Sequence, residues 1–569
     1  MSNDSYLYTI FGDLLCLAIV LFLGYWIGKY IYHYIFLGKK IKYLSFPLDG
    51  VQNFLLYISG TSKHQEMSSK KYLFHILIFS FLGFLFLFIL LMIQGYLLLN
   101  PNNINNMRWD VALNTAFSFV TNTNWQAYVG ENEVSYLSST LGLTTQNFLS
   151  ASVGMCVLFL LMRGLTNKQS KLVGNFYYDI SRIIIYLLLP LSIVGALLLV
   201  SQGVPQTYSS NIKYVDYINS SANNQFSILN LGPVASQVII KQLGTNGGGF
   251  YGANSSHPFE NPTAFSNLIQ NVSMLLIPVS LCYTFGFSVN DKKHSYMFLQ
   301  VMTFLFVIAL MCCTISEYTY KFVINSNVYY GNLSGKESRF GIGLSSFWSI
   351  STTSTSTGSV NSNLNQYTPL GGMILLLLME FGEIVYGGIG SGLYGIIGFV
   401  ILTIFISGLI IGKTPEYLGK KIDSFDMKMV CLLILPSPIL AMGGTAISTI
   451  VYPLGIYSEK GAHGFTQLLY GYTSMANNNG SSFNGFKHNT LSNVMGGFIM
   501  VIARFVPIVA VGLMSENLSI KKISNSNSNQ LKTNNTLFAI LLVGIIVLVG
   551  ALGFFPSWAL GPIAEATSI

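Results

Sequence analysis

Four short polar stretches, evenly spaced in an otherwise apolar chain, constrain the fold of this sequence more than any other feature. They are Thr121-Asn122-Thr123-Asn124, Thr245-Asn246-Gly247-Gly248, Ser356-Thr357-Gly358-Ser359 and Asn478-Asn479-Gly480-Ser481. Asn122 to Thr245 is 123 residues, Thr245 to Ser356 is 111, and Ser356 to Asn478 is 122. Such regularity marks four copies of one structural unit. Each copy follows a stretch (roughly 110–121, 233–244, 343–354 and 464–476) of about 12 residues, too short to cross a bilayer but long enough for three helical turns.

Longer hydrophobic segments flank these stretches. Hydrophobic residues make up 51% of the 569 and charged residues 9%, a balance that excludes a soluble globular protein and indicates a polytopic membrane protein. Runs able to cross ~30 Å of hydrocarbon lie near 7–36, 73–99, 143–162, 183–201, 265–287, 297–315, 371–412, 429–452, 490–514 and 536–555. The run 371–412 is too long for one ordinary span and carries Gly387-Gly388-Ile389-Gly390-Ser391-Gly392 near its middle. It reads as one broken span, giving ten crossings, with two separate spans as the competing count. The expected fold is therefore an all-α polytopic membrane protein with about ten transmembrane helices. Its four pseudo-repeats of helix, pore loop and helix surround a central filter. The division is an anchor and loop at 1–72, repeats at 73–175, 176–290, 291–425 and 426–515, and a last helix at 516–569.

Lysine and arginine set the orientation. The loops 37–72 and 163–182, with Lys292, Lys293, Lys413, Lys420, Lys421, Lys428, Lys521, Lys522 and Lys532, hold 19 of the 29 basic residues on one side. Arg108, Lys213, Lys241, Lys321, Lys336, Arg339, Lys460 and Lys487 are assigned to loops of the other side. The richer side is expected in the cytoplasm, so the four polar stretches and both termini face outward. The net charge of +8 follows from this asymmetry and calls for no nucleic acid. The first span has Asp4 and no basic residue ahead of it, which suits an uncleaved anchor rather than a signal peptide. The six cysteines fall in apolar segments without metal-ligand spacing and read as small buried hydrophobes.

A helix that ends in an extended Thr/Ser/Asn/Gly loop inside a membrane is tolerated only where the loop is buried or lines water. Four such loops can replace the hydration shell of a monovalent cation with about eight backbone and hydroxyl oxygens. Gly247, Gly358 and Gly480 suit the backbone conformations that turn successive carbonyls to one axis. Asn124 stands at the matching place in the first loop and tolerates left-handed backbone better than most residues. Any one stretch alone would read as a polar turn; four, evenly spaced on one side, read as a filter for K⁺. Glu380 and Glu383 flank the glycine-rich break, either as functional carboxylates or as partners that hold a kinked helix. Arg504 fills a crevice or pairs with one of them. Gln126 braces the filter or lies at the surface, and Asp13 sits near the outer headgroups or faces a neighbouring helix. Neither an HExxH pair, nor DKTGT, nor GxxxxGK[ST] is present, so the chain has no motif for metalloprotease chemistry or for ATP hydrolysis of its own.

Several longer strings are similar to the potassium-binding A subunit family of Kdp-type potassium-transporting ATPases. They include NTAFSFVTNTNWQ (114–126), GTNGGGF (244–250), ANSSHPFENPTA (253–264), GKESRFG (335–341), GGIGSGLYG (387–395), TPEYLGKKI (414–422), ANNNGSSF (476–483) and ALGPIAE (559–565). The resemblance runs from about residue 90 to the C-terminus and is poor over the first 70 or so residues. It implies the fold of the superfamily of K⁺ transporters, an outward-facing filter, and a broken second helix in the third repeat that gates it. By motif, the filter becomes Asn122, Thr123, Thr245, Asn246, Gly247, Ser356, Thr357, Gly358, Asn478, Asn479 and Gly480, with Asn124 and Gln126 behind it. Glu380, Glu383, Gly388, Gly390 and Gly392 become the gate and tunnel. Thr357 departs from the members that carry Cys there. The resemblance further implies K⁺ as bound substrate and no other cofactor. The implied partners are a P-type ATPase subunit, a single-span C subunit, a very small F subunit and membrane lipids. The implied location is the bacterial cytoplasmic (inner) membrane. A free-standing Trk/Ktr-like K⁺ channel or symporter is the alternative; it would share the four loops but not GKESRFG, TPEYLGKK or ANSSHPFENP.

Overall fold

Backbone polar groups inside a bilayer must be satisfied within their own segment, so long apolar runs fold as helices. The computed structural model, which describes residues 5–40, 45–63, 65–215, 226–324, 327–451, 459–523 and 532–568, follows that rule. Among the described residues ten helices are long and apolar enough to cross a membrane: Leu7–Phe36, Ser69–Tyr96, Ser138–Thr166, Phe176–Ser201, Ala264–Ser288, Lys292–Thr319, Ser391–Ile411, Ser424–Val451, Thr490–Ile520 and Thr536–Thr567. The four short helices are Trp109–Val120, Val234–Leu243, Gly341–Ser354 and Gly461–Ala476. Each ends one or two residues before the start of one of the polar stretches.

The run 371–412 is interrupted. Pro369–Glu380 is a short helix of 12 residues, about 18 Å and too short to cross; residues 381–390 are non-helical, and Ser391–Ile411 resumes as a helix. One broken span is the outcome, not two. Pro369 opens the first piece at a position that needs no N–H, and Thr368 caps it by accepting from the Gly371 N–H at 3.0 Å.

The spans Ser138–Thr166 and Ala264–Ser288 are mostly buried, whereas Leu7–Phe36, Ser69–Tyr96 and Ser424–Val451 present most of their apolar surface outward. The outermost helices thus meet lipid, and the inner ones surround a centre rich in buried Ser, Thr and Asn. Among the described residues the loops add three antiparallel strand pairs: Ile212–Val215 with Phe226–Leu229, Lys321–Ile324 with Asn327–Tyr330, and Glu416–Tyr417 with Lys420–Lys421.

Two expectations need correction. Cys312 and Cys431 are exposed, on the outward faces of their helices, while the other four cysteines are buried. Lys241 lies in the short helix Val234–Leu243 rather than in a loop, and Lys336, though in a loop, is not a surface charge. Both side chains are fully buried in ion pairs, Lys241 with Glu260 and Lys336 with Glu317 at 2.7 Å. A buried ammonium is tolerated only when it is paired and hydrogen-bonded. Asn254 completes the first pair; the Tyr367 ring lies over the second ammonium at 4.0 Å.

Candidate ion-binding filter

Each short helix ends in the same way. The N–H groups of Thr123, Asn246, Thr357 and Asn479 donate to the carbonyls of Ser118, Lys241, Thr352 and Ser474, at 2.9, 2.8, 3.1 and 2.8 Å. This is the helix-terminating bond that requires a left-handed residue just before the donor. Those residues are Asn122, Thr245, Ser356 and Asn478, with φ of 68°, 46°, 57° and 57°. Two positions further on the backbone is left-handed again, at Asn124, Gly247, Gly358 and Gly480. The repeat register therefore begins at Asn122, and Thr121 corresponds to Gly244 rather than to Thr245. A β-branched residue such as Thr245 at positive φ is a true outlier, and strain of that kind persists only where the surroundings over-determine it.

The four loops close into a ring. A Cβ placed on Gly247 would lie 1.7 Å from the Thr357 carbonyl oxygen. One on Gly358 would meet the Asn479 oxygen at 2.2 Å, and one on Gly480 the Thr123 oxygen at 1.9 Å. Third-position glycine thus abuts the second-position carbonyl of the next loop, in the order second, third, fourth, first. Side chains tie the remaining junction. Asn122 Nδ2 donates to the Thr245 oxygen (2.9 Å), while Asn122 Oδ1 accepts from Asn246 Nδ2 (2.5 Å) and from the Ser150 hydroxyl (2.8 Å). Elsewhere the Ser356 hydroxyl donates to the Asn478 oxygen at 3.0 Å, and Asn478 Nδ2 to the Thr123 hydroxyl at 3.0 Å. All eleven predicted filter residues and Asn124 are brought together, each buried except Gly480, which is partly exposed.

Gln126 stands behind the ring. Its Nε2 donates to the Gly249 oxygen (2.9 Å) and its Oε1 accepts from the Gly249 N–H (3.1 Å), so one amide clamps the backbone of the second loop. The glycine-rich break lies against the loops: the Ile389 N–H donates to the Thr245 hydroxyl at 2.9 Å, and a Cβ on Gly388 would sit 3.2 Å from the Ser356 Cβ. Gly390, with φ of 85°, backs onto the Gly154 carbonyl, and Gly392 onto Gly387. Beside the break is a cavity of about 100 Å³ lined by Glu380, Glu383, Asn478 and Arg504. The two glutamates differ. Glu380 accepts a hydrogen bond from the Trp558 indole, tying the short helix to the last span. Glu383, with φ of 50°, has Ser356 and Asn479 of two filter loops as polar neighbours. Arg504 forms no ion pair within 4.0 Å among the described residues, so it lines the cavity without a salt bridge to either carboxylate.

A family model described as the potassium-transporting ATPase A subunit matches residues 14–567. The chain belongs to the potassium-transporting ATPase A subunit family. The match reaches back to residue 14, so the resemblance covers most of the first 70 residues that sequence reading had set aside. Curated relatives named potassium-transporting ATPase potassium-binding subunit include one from Listeria monocytogenes serovar 1/2a, 47% identical over 98% of this chain and 99% of its own length. Another, from Clostridium perfringens, is 47% identical over 99% of both chains. The potassium transporter TrkH from Vibrio parahaemolyticus has a similar fold, with a TM-score of 0.50 and 13% identity over 88% of this chain and 97% of that one.

In this A-subunit chain, sequence reading missed a layer of residues that braces the second loop from behind. Asn254 Nδ2 donates to the Gly247 oxygen at 2.8 Å, and its Oδ1 accepts from Lys241 at 2.7 Å and from the Ser359 hydroxyl at 3.1 Å. Glu260 pairs with Lys241 and accepts the Tyr251 N–H at 2.9 Å. The signal lay in ANSSHPFENPTA, which holds both Asn254 and Glu260. Their partner Lys241 was assigned to a loop, because burial of a lysine leaves no trace in local hydropathy.

Proposed function

We propose that this chain is the K⁺-binding and translocating subunit of a high-affinity, ATP-driven potassium uptake pump. The observation that carries this reading is the fourfold recurrence of paired left-handed residues, two positions apart, in loops whose carbonyls abut around one centre. Alternation of that kind turns successive carbonyls to one side, and a dehydrated K⁺ needs about eight such oxygens. In this reading Asn122, Thr123, Thr245, Asn246, Gly247, Ser356, Thr357, Gly358, Asn478, Asn479 and Gly480 form the filter, with Asn124 and Gln126 as its supports. The carbonyl ends of the four short helices add their negative dipole ends. Glu383 and the Gly388–Gly392 break would control release into the cavity below, and Glu380 would hold that break to the last span.

ATP hydrolysis would come from a P-type ATPase subunit, with a single-span C subunit and a very small F subunit completing the complex. The basic loops support an inner-membrane orientation with both termini and the filter outside, and with the repeats bounded at 73–175, 176–290, 291–425 and 426–515. The test is K⁺-stimulated ATP hydrolysis by the chain purified with and without the ATPase subunit. Stimulation only in the complex, lost in Gly247→Asp, supports the reading. Potential-driven K⁺ flux by the isolated chain would replace it with a free-standing Trk/Ktr-like transporter.

A further inference from the structure

A second cavity, of about 380 Å³, lies away from the filter between the first span, the start of Ala264–Ser288 and the start of the third short helix. Its walls are largely apolar, with Leu268, Phe340, Ile342 and Phe347 among them. Tyr8, Thr9, Asp13, Asn267, Asn271 and Tyr318 break that pattern, and two of them carry a buried oxygen without a hydrogen-bond partner among the described residues. Asp13 is 3% exposed and its Oδ2 has no hydrogen-bond partner among the described residues; Asn271 is 2% exposed and its Oδ1 has none. Both line this cavity. A buried, unpaired carboxylate beside an unpaired amide oxygen is costly unless something supplies N–H donors or positive charge.

We propose that this cavity binds the primary ammonium of an aminophospholipid from the leaflet on the filter side. An ammonium brings three donors, enough for Asp13, Asn271 and one oxygen of its own headgroup. A bare cation fits poorly, since it wants six to eight oxygens at close range, and the apolar walls suit a glycerol backbone and acyl chain instead. Depth agrees with this occupant. Leu7–Phe36 has 30 residues, about 45 Å, close to the full thickness of a bilayer with its headgroups. Asp13 is six residues, about 9 Å, from the filter-side end, near where a headgroup layer of roughly 7 Å gives way to hydrocarbon. The inference needs only that the chain spans a membrane and is independent of what the filter carries.

The experiment is native mass spectrometry of the purified complex, titrated with phosphatidylethanolamine, phosphatidylglycerol or phosphatidylcholine. The wild type should retain phosphatidylethanolamine over the other two by about tenfold, the worth of one charge-assisted hydrogen bond. Asp13→Asn should erase that preference and Asp13→Glu should keep it. Equal retention of the three lipids by the wild type would overturn the proposal, as would a preference that survives Asp13→Asn. Displacement of the bound lipid by millimolar KCl would also overturn it, in favour of an inorganic cation.

Discussion

The first filter loop and the other three reach one backbone shape by different means. In loops two, three and four the third position is glycine because the next loop's carbonyl occupies the place of a Cβ. In the first loop that position is Asn124, left-handed at φ 53° and carrying a side chain, and its Nδ2 donates to Asn147 Oδ1 at 2.6 Å. Space for it comes from the neighbour: a Cβ on Gly248 would lie 3.0 Å from the Asn124 Cβ and 2.9 Å from its Nδ2. Glycine has moved one place along and one loop over. A ring of four unequal loops in one chain can therefore keep its geometry while each junction is held by different chemistry.

The largest effect should come from adding a side chain where contact is closest. Gly247→Asp must displace the Thr357 carbonyl and brings a carboxylate to the ring, and we expect apparent K⁺ affinity to fall by at least about 100-fold, ~2.7 kcal/mol. Uptake at micromolar K⁺ unchanged from wild type would remove Gly247 from the filter. Gly248→Ala is a finer probe of the unequal junction. Alone it should weaken K⁺ binding by about tenfold through overpacking against Asn124. Combined with Asn124→Gly, which clears the obstructing side chain, most of that loss should be recovered. Additive losses in the double variant would refute the exchange of glycine between the two loops.

Gln126→Leu tests the clamp on the second loop. It removes the Gly249 hydrogen bonds and leaves a partly buried N–H and carbonyl without their partner, a cost of about 1–3 kcal/mol. K⁺ affinity measured by calorimetry should drop by about tenfold, while thermal stability changes little. An affinity equal to wild type would make Gln126 a bystander.

Much of this was legible in the sequence, and the illegible part has a physical cause. Short helices, loops and spans follow from hydropathy and segment length, which are local, and the break at 381–390 was announced by its glycines. What locality hides is pairing across the chain. Lys241 with Glu260, Lys336 with Glu317 and Asn122 with Asn246 each join residues whose burial depends on a distant partner. The first stretch, written from Thr121, begins one place early, but the count from Asn122 to Thr245 and the match of Asn124 with Gly247 already hold the register that the left-handed φ of Asn122 shows.

The smallest predicted effect contrasts two junctions by pH. Between the first and second loops the contacts are neutral amides and hydroxyls, from Asn122, Asn246 and Ser150, which do not titrate. Beside the third and fourth loops stands His463, at the start of the fourth short helix. Its Nδ1 lies 2.8 Å from Glu565 Oε1 and its Nε2 3.0 Å from Asn365 Oδ1, an oxygen that also accepts from Gln467 at 2.9 Å. Both ring nitrogens therefore face acceptors and the imidazolium suits them. The hydrogen bond to Glu565 holds the His463 pKa above its ordinary value, against the opposing effect of burial. With the folded value above the unfolded one, the stabilisation is complete below an unfolded pKa of about 6.5 and is lost as pH rises through the folded value. Raising pH from 6 to 9 should thus lower the melting temperature of the complex by an amount equivalent to about 1 kcal/mol or less, as for a partly exposed pair. His463→Gln should flatten that step, while Asn122→Ala should lower stability at every pH and leave the step intact. A step that persists in His463→Gln would assign the titration to another group.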